Sequence, residues 1–301
     1  MTTAENRYNH AFETDLHLPE LDDKGLQELE ELLKTSDVFH FHILADEHLQ
    51  LGPFTPKEYL IGKKILHHHH GHPDFRGNPD KYRAKYKSLN RRNLLVSTPD
   101  LLHLLPEATW QPNLVPIDEP LYCPLPLSPD LGTRQTTRQT TRPPMRIGHS
   151  PTRKELKNTT DLMEVFESLQ QALPNKKLEL DIIDDRPHVE CLERKQHCQI
   201  VFDHMQGYYG VSSLEALSQG KPTIAGLDPW NLSRIKDFFG CDHVPWIMAR
   251  NKKDLREDLR LLVEDDGWRE EMGTQSRAFM EQFWSDRRVA EALANFYDDL
   301  K

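Results

Sequence analysis

The densest chemistry in this sequence lies in DHMQGYYGVSSLEALSQGKPTIAG (203–226). A glycine-flanked aromatic loop leads into a short helix, SSLEALSQG (212–220), which carries Glu215 in its first turn and stops at Gly220. Backbone N–H groups left free at a helix start suit a phosphate or a sugar hydroxyl. A carboxylate one turn in can accept both hydroxyls of a ribose. Taken alone the stretch is a loop-helix-strand unit, and a purely structural role fits it as well. A second concentration is histidine: VFHFHIL (38–44), then HHHH (67–70) followed by His72. On a strand of period two, His40 and His42 share one face, and so do His68 and His70. Imidazole is the commonest metal ligand, but neighbours on a strand face opposite ways, so only two or three of these rings can converge. The expectation is therefore structural or sugar-contacting histidines and no metal.

The elements that must position these groups alternate. Asp22 or Asp23 can cap a helix bearing Leu26, Leu29, Leu32 and Leu33 at helical spacing. VFHFHIL, KKILHHHH (63–70) and NLLVST (93–98) are candidate strands, with a basic helix, NPDKYRAKYKSLNRRN, between the last two. After a proline-rich stretch from Pro106 to Pro144, MRIGHS (145–150), LELDII (178–183), CQIVFD (198–203) and PTIAG (222–226) are further strands. A helix with Leu162, Val165, Phe166, Leu169 and Leu173 as its stripe follows MRIGHS, with Asp161 and Glu164 as its capping pair. Three amphipathic helices close the chain, near 253–264, 267–284 and 287–300. Strands alternating with helices predict parallel sheets with crossovers in two α/β domains, and ligands at the C-terminal ends of the strands. The near-repeat TRQTTRQTTR (133–142) has linker composition and puts the boundary near 142.

Composition excludes several classes. A chain of 301 residues, 37% hydrophobic and 29% charged, has the make-up of a globular protein rather than a disordered one. No apolar run approaches the ~20 residues that span a bilayer. A polar, acidic N-terminus and four scattered cysteines (Cys123, Cys191, Cys198, Cys241) predict a reduced, cytoplasmic setting. The net charge of −10 is segregated, with 3 basic and 12 acidic residues in 1–56, 16 and 8 in 57–154, and 19 and 28 in 155–301. A basic middle between acidic flanks points either to an anionic partner or to ordinary solvated helix faces.

GYYGVSSLEALSQGKPTIA resembles the donor-binding signature of the family 4 retaining glycosyltransferases. HSPTRKELKNTTDL (149–162) is similar to that family's diphosphate loop, LHHHHGHPDFRG (66–77) to its His-Gly-Ser-Asp-(Ile/Leu)-Arg-Gly stretch, and LLVSTPDLLHLLPEATWQPNLV (94–115) to its strand, helix and Pro-Asn turn. In this order the matches run over roughly residues 38–300. The resemblance implies an α/β, GT-B fold: two Rossmann-like, doubly wound domains facing a cleft, with a trimmed N-terminal domain whose opening strand is not recognisable before Asp37. Residues 1–142 would be the acceptor side, 143–285 the donor side, and 286–301 a final helix packing back on the first domain.

Carried over position by position, Glu215 would hold the donor ribose, and Arg153 and Lys157 would neutralise the diphosphate. His149 and Ser150 would line the donor loop, while Tyr209, Gly210 and Val211 would bring backbone amides beside the donor. His70 would touch the donor sugar. His42, Asp74, Arg76 and Arg83 are candidate acceptor contacts, with an ordinary loop ion pair as the other reading of Asp74 and Arg76. Gly207, next to Gln206, stands where the family usually has a second, sugar-contacting glutamate. The co-substrate implied is a nucleotide sugar such as a UDP-sugar, without a further cofactor, and no Asp-x-Asp motif argues for a metal. No oligomeric state is implied.

Two acceptors are open at this point. One is a hydroxymethylated base in DNA, tracked by the basic stretch Lys57–Arg92 and by Arg134, Arg138, Arg142 and Arg146, with Phe75, Tyr82 and Tyr86 stacking on the base. The other is a glycan, lipid-linked sugar or small molecule. A non-catalytic sugar-nucleotide or nucleic-acid binding module is the alternative from a different class.

Overall fold

The computed structural model describes residues 16–125 and 143–300. They fall into two compact units, one ending at Asn113 and resuming at Val289, the other running Leu114–Arg288. Residues 114–125 group with the second unit, whereas a boundary near 142 would put them in the first; the C-terminal segment from Val289 groups with the first unit, where the resemblance puts the final helix. The near-repeat at 133–142, with Arg134, Arg138 and Arg142, lies outside the described residues.

The first unit contains α1 (Asp23–Thr35), β1 (Val38–His42), β2 (Lys64–His69), α2 (Pro73–Gly77), α3 (Pro79–Ser88), β3 (Asn93–Val96) and β4 (Thr109–Trp110). Its parallel strands lie in the order β1-β2-β3-β4. Asp22 starts α1 as the sequence predicts, its carboxylate accepting from the Gly25 amide at 2.8 Å. Leu29 and Leu33 of α1 pack into a core with Phe39, Phe41, Leu51 and Leu60.

Both faces of β2 are covered, as parallel sheets require, and His67, His68 and His69 are all buried. The two histidine pairs therefore meet different neighbours. His67 and His69 lie among Phe41, Phe75, Tyr82 and Tyr86. His68 lies against His40, His42 and His70. On that second face sits α10 (Asp286–Asp298), whose Tyr297 hydroxyl is 2.6 Å from His40 Nδ1. Gln111 Nε2 donates to the Val289 carbonyl at 2.9 Å, and Lys64 Nζ to the Leu300 carbonyl at 3.0 Å.

The second unit holds β5 (Met145–His149), α4 (Thr159–Ala172), β6 (Leu178–Ile182), α5 (His188–Gln196), β7 (Ile200–Phe202), α6 (Val211–Ser218), β8 (Thr223–Ile224), α7 (Pro229–Phe239), α8 (Lys252–Glu264) and α9 (Asp266–Gln282). Its parallel order is β6-β5-β7-β8. The direction of winding thus reverses between β5 and β7, the mark of a doubly wound sheet; the first sheet runs in simple order, with α10 on its other face. Ile147, Ile200, Phe202 and Ile224 from the strands pack with Leu162, Val165 and Leu169 of α4 and Leu255, Leu259 and Leu262 of α8. The start of α4 corrects the predicted capping pair. Asn158, at φ 54°, is the cap residue, Asp161 accepts from Asn158 Nδ2 at 3.0 Å, and Glu164 pairs with Lys252 at 2.8 Å.

Residues 114–125 act as a strap. Gln196 Nε2 donates to the Pro120 and Cys123 carbonyls at 2.8 and 2.9 Å, and Gln219 Nε2 to the Leu121 carbonyl at 2.7 Å. Arg277 Nη1 reaches the Ile117 carbonyl at 2.9 Å.

Candidate functional site

In an open parallel sheet, ligands bind beyond the carboxyl ends of the strands where the order reverses. Here that point lies beyond His149 of β5 and Phe202 of β7, so the relevant loops are 150–158 and 203–210. Side chains tie these two loops together. Asn158 Oδ1 accepts from the Met205 amide at 2.9 Å and from Gln206 Nε2 at 3.2 Å. Lys157 Nζ lies 3.2 Å from Asp203 Oδ1, and the Gly210 amide donates to Asp203 Oδ2 at 2.5 Å. A Cβ on Gly210 would stand 2.7 Å from Lys157 Nζ and 2.9 Å from Asp203 Oδ1, so only glycine fits this approach. The hydroxyls of Ser150 and Ser212 are 2.5 Å apart, joining the end of β5 to the first turn of α6.

Behind this surface lies a buried charge cluster. Glu215 Oε1 is 2.8 Å from His188 Nε2, and Oε2 accepts from the ammonium of Lys195, which has no exposed surface. Burial pushes the Glu215 carboxyl up, but Lys195 and His188 outweigh it and hold the group below the ordinary carboxylate range. Burial likewise opposes the charge on Lys195, and Glu215 reverses the direction. Burial also raises Asp203, yet His204, Lys157 and the Gly210 amide bring it down, so it too is ionised. The result is a frame of paired charges; the Arg153 side chain, on the 150–158 loop, is exposed and has no hydrogen bond or ion pair among the described residues.

Not every residue expected at the donor serves there in the expected way. His149 is turned inward: Nδ1 lies 3.1 Å from the Phe202 carbonyl and Nε2 2.9 Å from the Thr159 hydroxyl, so both ring nitrogens are used in holding β5 to β7 and α4. Burial draws its pKa down to about 4. The Gly210 amide donates to Asp203. Tyr209 is fully buried against Trp246 and Trp284. Val211 is exposed as the first residue of α6.

Gly207 has φ +90°, and the Asp228 carboxylate lies 3.3 Å from where its Cβ would be. Its carbonyl accepts from the Asp228 amide at 2.7 Å and from Asn231 Nδ2 at 3.0 Å. A glutamate here is strained by the positive φ and repelled by the Asp228 carboxylate. Ser150, Lys157, Gly210 and Glu215 are brought together, with Arg153 on the same loop.

Sequence reading assigned no role to Asp203, Asn158, His188 or Lys195. His188 and Lys195 are seven apart on α5, hence on one face, which is a signal available in the sequence. Nothing in the sequence links that face to Glu215.

In the first unit, His42 Nδ1 and His70 Nε2 are 2.9 Å apart. Asp74 accepts from the Tyr82 hydroxyl, from Lys81 at 3.2 Å and from Asn78 at 3.0 Å. Arg76 donates to Asp100 at 2.6 Å and to the Gly71 carbonyl at 3.1 Å. Both are thus engaged in local ion pairs, while Arg83 lies half-exposed, 3.5 Å from Asp80 and 3.7 Å from Glu107. Phe75, Tyr82 and Tyr86 are buried, which corrects the expectation that they stack on a base. Much of the basic stretch is answered by carboxylates, Lys85 by Asp46 at 2.5 Å and Arg91 by Glu47 at 3.0 Å.

No protein-family model and no curated protein matches the chain. Solved structures do. HepE of Anabaena, in complex with UDP and glucose, aligns at TM-score 0.61 and 13% identity over 92% of this chain and 82% of its own. The sucrose-phosphate synthase of Thermosynechococcus elongatus gives 0.57 and 13%, covering 93% and 77%. A TarM variant of S. aureus, in complex with fondaparinux, α-GlcNAc-glycerol and UDP, gives 0.52 and 16%, covering 81% and 53%. The chain thus spans about half the length of that TarM chain. The fold is α/β with parallel sheets, the one found in these GT-B glycosyltransferase structures.

Proposed function

We propose that the chain is a glycosyltransferase that moves a sugar, with retention of configuration, from a UDP-sugar to an acceptor hydroxyl. The supporting observation is the pair of loops beyond β5 and β7. There Lys157 and the start of α6 meet through Asp203 at the reversal of strand order, with Arg153 exposed on the same loop as Lys157 and Glu215 ionised within α6. A diphosphate gains negative charge as the glycosidic bond breaks, and preorganised cations lower the energy of that charge. Arg153 offers a fork for two phosphate oxygens and Lys157 a point charge. Each Glu215 oxygen already accepts one hydrogen bond and keeps acceptor capacity for a ribose hydroxyl. Retention can proceed on one face of the sugar, with the leaving phosphate taking the acceptor proton, so no protein nucleophile is assigned. UDP or UDP-glucose is present in neighbouring structures, which favours uridine as the base.

In this reading the first unit receives the acceptor, with His42 as a polar contact and His70 beside the donor sugar. With Phe75, Tyr82 and Tyr86 enclosed and Arg76, Lys81, Arg83, Lys85 and Arg91 of the basic stretch paired with carboxylates, the observations favour a glycan or small-molecule hydroxyl over a DNA base.

The test is binding of UDP and UDP-glucose to the full chain by calorimetry, with thermal melting alongside. Millimolar UDP-sugar should raise the melting temperature, and Arg153→Ala should weaken UDP about tenfold or more, the scale of one charge-assisted hydrogen bond. Because Arg153 is exposed, the unliganded variant should melt with the wild type. No stabilisation by any UDP-sugar at millimolar concentration would sink the proposal.

A further inference from the structure

We propose that the histidines of β1 and β2 form a binding site for a late first-row divalent cation, with His40, His42 and His68 as ligands. One ring nitrogen from each lies within 4.8 Å of the others. Parallel pairing produces this convergence: His42 lies opposite His68 in register, and His40 sits two residues before His42 on the same face. The rings stand close, His40 and His42 stacked at 4.0 Å and His40 and His68 at 5.4 Å.

The hydrogen bonding around the cluster is that of ligands rather than of ordinary core histidines. His68 is only 6% exposed, and neither of its ring nitrogens has a hydrogen-bond partner among the described residues. A buried polar group left this way normally carries a substantial penalty. His40 uses Nδ1 on the Tyr297 hydroxyl at 2.6 Å, while its buried Nε2 has no partner. His42 uses Nδ1 on His70 at 2.9 Å, which leaves its Nε2. In metal sites the non-ligating nitrogen of a histidine is commonly fixed by such an outer partner; Tyr297 and His70 fill that place.

Burial also keeps His40 and His68 neutral, the form that binds metal: His40 is drawn down to about 3 and His68 is lowered as well. Three neutral nitrogens and no carboxylate in the set suit Zn²⁺, Co²⁺, Ni²⁺ or Cu²⁺ rather than Mg²⁺ or Ca²⁺. Metal–nitrogen bonds of about 2.0–2.1 Å require the donors to draw together. His42 is exposed, which gives the ion its way in.

The proposal does not depend on the glycosyltransferase reading, and its readout is not activity. The full chain, without an added histidine tag and stripped with chelator, is titrated with Co²⁺ while visible absorption is followed. One Co²⁺ per chain should bind with a ligand-field band that Zn²⁺ abolishes. His42→Ala and His40→Ala should each weaken binding at least tenfold, whereas His243→Ala, in the other unit, should leave it unchanged. His42 is exposed, so its variant keeps the sheet intact even if a replacement at His40 disturbs folding. Absence of a band at excess Co²⁺, or affinity unchanged in His42→Ala, overturns the assignment.

Discussion

At Lys195 a full positive charge is buried without any exposed surface, and its stability rests on one carboxylate. Removing one member of such a pair leaves the other uncompensated, which destabilises by about 3–5 kcal/mol. Lys195→Met and Glu215→Ala should each lower unfolding free energy by about that much in urea titration, and Lys195→Met with Glu215→Leu should cost clearly less than the sum. Additive losses would show that the two charges are stabilised independently. This pair also marks where the sequence ceased to be legible. Glu215 stood out because its helical turn and neighbouring glycines match a known signature, whereas Lys195 looks like one charge among several on CLERKQHC. Its burial is decided by where α5 lies on the sheet, and residue spacing does not encode that placement. His149 shows the same limit: a polar residue at a strand end can face the ligand or turn inward, and Phe202 and Thr159 draw it inward.

Among the elements, the strands and the long helices were legible because their periodicities are strong. α8 and α9, for example, lie within a residue or two of the predicted stretches. The order of strands was not, since it follows from crossovers and not from any local pattern. β2 is the plainest instance: KILHHH is a strand by alternation, but only its place between β1 and β3 shows why every histidine on it is enclosed. The loop before α6 is equally positional. At φ +90° a side chain costs about 1–2 kcal/mol in backbone strain, and at Gly207 a glutamate would add repulsion from Asp228. Restoring the signature with Gly207→Glu should therefore destabilise the fold by about 1–3 kcal/mol in urea titration, with Gly207→Ala showing the backbone share alone. An unchanged or higher urea midpoint would mean that this loop has another conformation open to it.

For the molecule as a whole, the distribution of buried histidine sets the response to acid. The unfolded chain protonates each imidazole below about pH 6.5. In the folded first unit burial holds His67 neutral down to about 4, with Glu47 opposing, and His69 down to about 3; His68 is lowered as well. Their stabilisation is thus complete above pH 6.5 and falls as pH drops, by up to about 1.4 kcal/mol per pH unit for each fully buried group. In the second unit His149 is lowered to about 4. Asp203 and Glu215 have depressed pKa values, so their contribution persists until the pH falls below about 4. The first unit should consequently unfold at higher pH than the second. Of the five tryptophans only Trp110 lies in the first unit, so circular dichroism should fall before the fluorescence shifts; coincident transitions would contradict this.

The strap at 114–125 bears on how such a gene could be divided. Its carbonyls satisfy Gln196, Gln219 and Arg277, so it belongs to the half it fastens and not to the joint before it. A chimaera joined at 142 would inherit its strap from the wrong parent, whereas one joined at 113 keeps each donor with the carbonyl it evolved beside.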